Sequence, residues 1–135
     1  RHPFIFYVGH LSAFSWNQIC GPLLQWQSYN PYFDDLFCRG VDPDVDTGEC
    51  HWHPDVPDEW PTLRQTVAYR DKIRGSLLES FDALPEANAT NPIAETGRVF
   101  QLVLEHEYMH QETVLYMLQQ TPLEKKFRPA SLPEY

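Results

Sequence analysis

The chain has 135 residues and a formal net charge of −9, with 42% apolar and 14% aromatic residues. That length supports one domain with a real core, and the acidic balance excludes non-specific binding to nucleic acid or anionic membranes, which needs clustered Lys and Arg. No apolar run approaches the roughly 20 residues of a membrane span. Arg1-His2-Pro3 leads straight into an aromatic stretch, unlike a signal peptide. Cys20, Cys38 and Cys50 are odd in number and irregularly spaced, so they read as reduced thiols of a cytoplasmic protein.

In chain order, residues 3–20 predict the first helix, with Pro3 suited to its first turn and Gly21-Pro22 as its stop. Phe6, His10, Ala13, Phe14 and Asn17 recur at helical spacing, and the pattern is too long for a typical strand. Asn30-Pro31 opens a short helix over residues 32–38, closed by Gly40. Residues 41–61 form a long irregular connection, since Pro43, Pro54, Pro57 and Pro61 forbid a continuous helix or a central strand. Residues 62–84 predict a second long helix, capped by Thr62 with Gln65 and ended by Pro85. Its apolar stripe reads Leu63, Val67, Ile73, Leu77, Phe81 and Leu84. Residues 93–120 predict the longest helix, with Val99, Val103, His106, His110, Thr113 or Val114, and Met117 along the core-facing stripe. The fold class is therefore all-α, an antiparallel helix bundle with long connections.

The chemistry concentrates in His106-Glu107-Tyr108-Met109-His110, an H-E-x-x-H sequence. At 3.6 residues per turn the two histidines project from one helix face, the spacing at which two imidazoles hold one metal ion. Two histidines on a buried stripe would each need a partner, and a shared cation supplies both. His10, beside Gly9 in an apolar setting, is the candidate third ligand, because antiparallel packing can turn it toward the longest helix. Gly9 would permit close approach of a backbone or ligand. His51 and His53 are rivals, and with Cys50 they could form a separate zinc site, although no C-x-x-C pair is present. Asp42, Asp44 and Asp46 resemble the start of a calcium loop but fail its pattern at Thr47 and His53. H-E-x-x-H also invites a zinc-protease reading with Glu107 as general base. No H-x-x-G-x-x-H extension follows, and only Glu124 or Glu134 stands downstream as a formal ligand. Glu107 is expected off the metal face, at the surface.

Three blocks in order, residues 2–10, residues 39–46 and residues 106–113, make the chain resemble the N-terminal DinB-like domain of the EgtB-type sulfoxide synthases of ergothioneine, ovothiol and selenoneine biosynthesis. The resemblance implies a DinB-like four-helix bundle over residues 1–126, here lacking its first helix. It implies that His10, His106 and His110 hold non-haem Fe(II), leaving open positions for substrate and O2. The substrates it implies are hercynine or histidine and a cysteine-type thiol. Tyr108, Met109, Gln111 and Glu112 are the residues expected to orient ligands or substrate. Met109 stands where some of the family carry a glutamine that contacts the imidazole substrate. The Pro-rich residues 127–135 are expected to be a linker toward a C-terminal formylglycine-generating-enzyme-like domain of a longer protein, which would supply much of the pocket and a catalytic tyrosine. Alternatives are a DinB-like metal-dependent thiol transferase and a non-catalytic, zinc-stabilised bundle.

Overall fold

The computed structural model describes residues 2–38, 57–87, 94 and 96–133. Helix α1 spans Phe4–Ser15 and follows Pro3, which takes the N-cap position outside the first turn; its carbonyl accepts the Phe6 N–H at 2.9 Å. The sequence predicts one helix to residue 20, but α1 passes into a π-helical turn, Trp16–Cys20. The wider turn is closed by a bond from the Gly21 N–H to the Trp16 carbonyl at 3.1 Å. Trp16, Ile19 and Cys20 are buried along it.

Helix α2 spans Pro31–Leu36, with Pro31 in its first turn and the Asn30 side chain accepting the Phe33 N–H at 3.1 Å. It ends earlier than predicted, at a C-cap formed by Phe37. Gly40 and residues 41–56 lie outside the described residues, while residues 57–62 carry no regular structure.

Helix α3 spans Leu63–Ala87 and begins with the expected capping box. The Gln65 side chain accepts the Thr62 N–H at 2.9 Å, and the Thr62 hydroxyl accepts the Gln65 N–H at 3.3 Å. It runs past Pro85 to Ala87, so the predicted stop falls within the last turn instead of ending the helix. The predicted stripe needs correction. Leu63 and Phe81 are largely exposed, and the inward face is Thr66, Tyr69, Ile73 and Ser80. Hydroxyl groups can line this face because each finds a partner: Thr66 on the Thr62 carbonyl, Ser80 on the Leu77 carbonyl, Tyr69 on Asp34.

Helix α4 spans Arg98–Gln120. The prediction of one helix from residue 93 fails at Gly97, whose φ of 67° is left-handed and interrupts the helix. The predicted stripe of α4 holds: Val99 and Val103 are buried, and His106, His110, Val114 and Met117 are half-buried. A short 3-10 turn, Leu123–Lys125, follows.

Among the described residues there are four α-helices and no strand, in agreement with the all-α expectation. The apolar α1 packs against α2, α3 and α4. Tyr7 lies against His110 and Phe14 against His106, so α1 and α4 run antiparallel. The core gathers Phe6, Phe33, Phe37, Tyr69 and Ile73 around α1, closed on the α4 side by Val99 and Val103. None of the described helices is long and apolar enough to cross a membrane.

Candidate metal centre

Three imidazoles meet where α1 crosses α4. His10 is 3% exposed, and His106 and His110 are half-buried. The ring centroids are 4.9 Å apart for His10–His106, 4.6 Å for His10–His110 and 4.5 Å for His106–His110. One ring nitrogen from each lies within 4.8 Å of the other two. Helical spacing sets the α4 pair on one face, and antiparallel packing brings His10 to meet it.

Each ring has an aromatic neighbour on α1, and His10 has a hydrogen bond behind it as well. The His10 Nδ1 lies 2.7 Å from the Phe37 carbonyl. A carbonyl only accepts, so Nδ1 carries the proton and the Nε2 lone pair faces the other histidines. Phe6 stacks on His10, with centroids 4.9 Å apart. Phe14 lies on His106, and Tyr7 tilts against His110.

The apolar surroundings keep the trio neutral. Burial pulls His10 from the ordinary 6.5 down to about 4; the Phe37 hydrogen bond opposes this, and His110 and His2 add to the fall. Burial takes His106 down to about 3, with His10 and His110 adding to it. Burial also lowers His110. Neutral imidazole is the metal-binding form.

The donor set fits a cation. The Nε2 atoms of His10 and His110 are 3.0 Å apart. Without a metal that pair can share one proton, and three neutral imidazole nitrogens are the donor type an iron or zinc ion would take. The His110 Nδ1 is buried with no hydrogen-bond partner among the described residues. With Nε2 turned to the other two rings, Nδ1 points away from the shared centre, and it is a nitrogen that the site's support does not meet.

Other sequence candidates fall elsewhere. Tyr108 and Met109 are 57% and 50% exposed, and Gln111 and Glu112 are also exposed. Tyr108, two residues from each histidine, projects from the far side of α4. Glu107 is half-buried instead of lying on the open surface. It lines a cavity of about 290 Å³ with Arg70 and Arg74, on the side of α1 marked by Leu11 and Ser12. The Cys50, His51 and His53 alternative and the Asp42, Asp44, Asp46 run lie outside the described residues. Sequence spacing missed Phe37, whose contribution is a backbone carbonyl and therefore carries no residue-type signature.

A helical bundle with inward histidines on two antiparallel helices defines the class of protein, and the chain belongs to the DinB superfamily, whose profile matches residues 1–114. It is similar to "Ergothioneine biosynthesis protein 1" of Neurospora crassa, 38% identical over 134 residues, 98% of this chain and 15% of the relative. It is likewise similar to "Ergothioneine biosynthesis protein 1" of Schizosaccharomyces pombe, 33% identical over 124 residues, 90% of this chain and 15% of that protein. The chain thus spans about 15% of the length of these relatives. No solved structure matches it.

Proposed function

We propose that this chain is the metal-binding part of a non-haem Fe(II)- and O2-dependent sulfoxide synthase of ergothioneine-type biosynthesis. The reaction joins a thiol, cysteine or γ-glutamylcysteine, to the imidazole of hercynine or histidine. The observation that carries the reading is the convergence of His10, His106 and His110, neutral and with ring nitrogens within 4.8 Å of one another. The two ergothioneine biosynthesis relatives, alike over nearly all of this chain, support the pathway.

His10, His106 and His110 would hold the iron. When bound, iron supplies the redox chemistry that couples four-electron reduction of O2 to carbon–sulfur bond formation and oxidation of that sulfur to the sulfoxide, one oxygen atom entering the product and the other leaving as water. The protein's own part is positional. The Phe37 carbonyl fixes the His10 proton on Nδ1. Phe6 and Phe14 each cover one face of a ring, that of His10 and that of His106. Exposed Tyr108, Met109, Gln111 and Glu112 are available to substrate or to further protein. Residues 127–135 lead, in this reading, toward a formylglycine-generating-enzyme-like domain that completes the pocket. In this reading the protein works in the cytoplasm, which its odd, irregularly spaced cysteines Cys20, Cys38 and Cys50 support.

The test is anaerobic Fe(II) loading of the intact protein, followed by oxygen uptake with cysteine and hercynine together. Uptake that needs both substrates and iron supports the reading. No uptake from the iron-loaded intact protein with any pairing of cysteine or γ-glutamylcysteine with hercynine or histidine overturns it.

A further inference from the structure

Asp34 is the one carboxylate among the described residues that is buried, at 7% exposure. Burying a charge is costly unless its oxygens are met by donors. Here one carboxylate oxygen accepts the Tyr69 hydroxyl at 2.6 Å and the other accepts the Ser28 hydroxyl. The Asp34 backbone carbonyl accepts the Asn17 side-chain amide at 3.1 Å. Three separate segments therefore tie down α2: α3 through Tyr69, the π-helical turn through Asn17, and the segment before α2 through Ser28.

One turn further on, α2 ends at Phe37, whose N–H bonds to the Phe33 carbonyl at 3.0 Å. Its ring is fully buried and lies so close to α1 that a Cβ on Gly9 would sit 2.6 Å from it. Its carbonyl is the group that accepts the His10 Nδ1 proton. The tie at Asp34 and the carbonyl that meets His10 thus lie three residues apart on one short segment, α2 and its C-cap.

We propose that Asp34 and Tyr69 are positioning residues of the histidine site, fixing α2 so that the Phe37 carbonyl holds His10 as the Nδ1–H tautomer with Nε2 free for a metal. The metal half of this statement rests on the reading under Proposed function; the tautomer half does not. Loosening the tie lets α2 and its terminal carbonyl shift, and His10 then samples the other tautomer, whose Nε2 carries a proton and cannot ligate.

The experiment uses the 135-residue chain in wild-type, Tyr69→Phe and Asp34→Asn forms. Two quantities are read at a temperature where circular dichroism shows all three folded: the tautomer of His10 by ¹⁵N imidazole NMR, and the affinity for Co(II) by visible absorption. In the wild type, His10 is expected as the Nδ1–H tautomer; finding Nε2–H overturns the proposal without any variant. Tyr69→Phe is expected to mix the two tautomers and to weaken Co(II) binding about tenfold. Asp34→Asn keeps an acceptor for Tyr69 and is expected to retain the wild-type tautomer and an affinity within about twofold. A Tyr69→Phe chain that melts lower but keeps both tautomer and affinity overturns the positioning role. A wild type that binds no Co(II) yet loses its tautomer purity in Tyr69→Phe sinks the metal reading and supports the tie.

Discussion

Phe14 lies flat on His106, with ring centroids 3.6 Å apart and planes 8° from parallel. The pair joins α1 to α4 one turn beyond His10, so the same contact that packs the bundle also covers a candidate ligand. Phe14→Ala removes the cover. The His106 ring regains water, and its pKa is expected to climb from about 3 toward the ordinary 6.5, because burial is the main cause of the depression. NMR titration of the imidazole measures this directly. An unchanged low value would assign the depression to the neighbouring histidines instead.

The three depressed histidines give the metal-free chain a definite pH dependence. His10 titrates near 4 and His106 near 3 in the fold, against 6.5 when unfolded. Between those limits the unfolded chain binds more protons than the folded one. Stability is therefore expected to fall as the pH drops below 6.5, and to keep falling through about 4. Well above 6.5 all three are neutral in both states and contribute no slope. Thermal unfolding between about pH 7 and about pH 5 checks it, with His106→Gln flattening the profile.

Two helical glycines should respond to alanine with opposite signs. Alanine is the better helix former by about 1 kcal/mol. At Gly75 a Cβ meets nothing within 4 Å, so Gly75→Ala is expected to stabilise by roughly 0.5–1 kcal/mol. At Gly9 a Cβ lands 2.6 Å from the Phe37 ring, in a buried aromatic layer with no slack. Gly9→Ala is expected to destabilise by about 1–3 kcal/mol despite the gain in propensity. Denaturant melts of the two variants decide it; equal shifts would mean that Phe37 yields easily.

What the sequence disclosed follows from what has a period. The α4 stripe and the two histidines one turn apart are periodic, and both are found where spacing places them. Thr62 and Gln65 announce a helix start by residue type, and their bonds form as expected. The inward face of α3 was hidden, because Thr66, Tyr69 and Ser80 are buried through hydroxyl bonds that hydrophobic patterning does not register. The π-helical turn was hidden as well, since a five-residue change of pitch leaves no mark in apolar spacing. The candidate site was legible in its three imidazoles and illegible in its support, because a carbonyl from Phe37 and a fold-dependent stacking partner such as Phe14 are products of tertiary packing.

His10 gives the most direct test of the site, because among the three candidate ligands it alone comes from α1. Its Nε2 sits 3.0 Å from that of His110, while its Nδ1 is committed to Phe37. If the three rings share one cation, Fe(II) or Zn(II) at about a hundredfold excess over its dissociation constant should stabilise the chain by about 2.7 kcal/mol, since the unfolded chain cannot assemble the trio. A chelator should reverse the gain. His10→Ala leaves two ligands on one helix and opens a small cavity beneath Phe6, so its basal stability is expected to fall and its metal-dependent rise in melting temperature to vanish. Phe6→Leu serves as the control: it disturbs the same apolar layer, spares every ring nitrogen, and should keep most of the metal-dependent rise. If His10→Ala still gains as much from metal as the wild type, His10 is no ligand, and any metal held by the chain sits on α4 without α1.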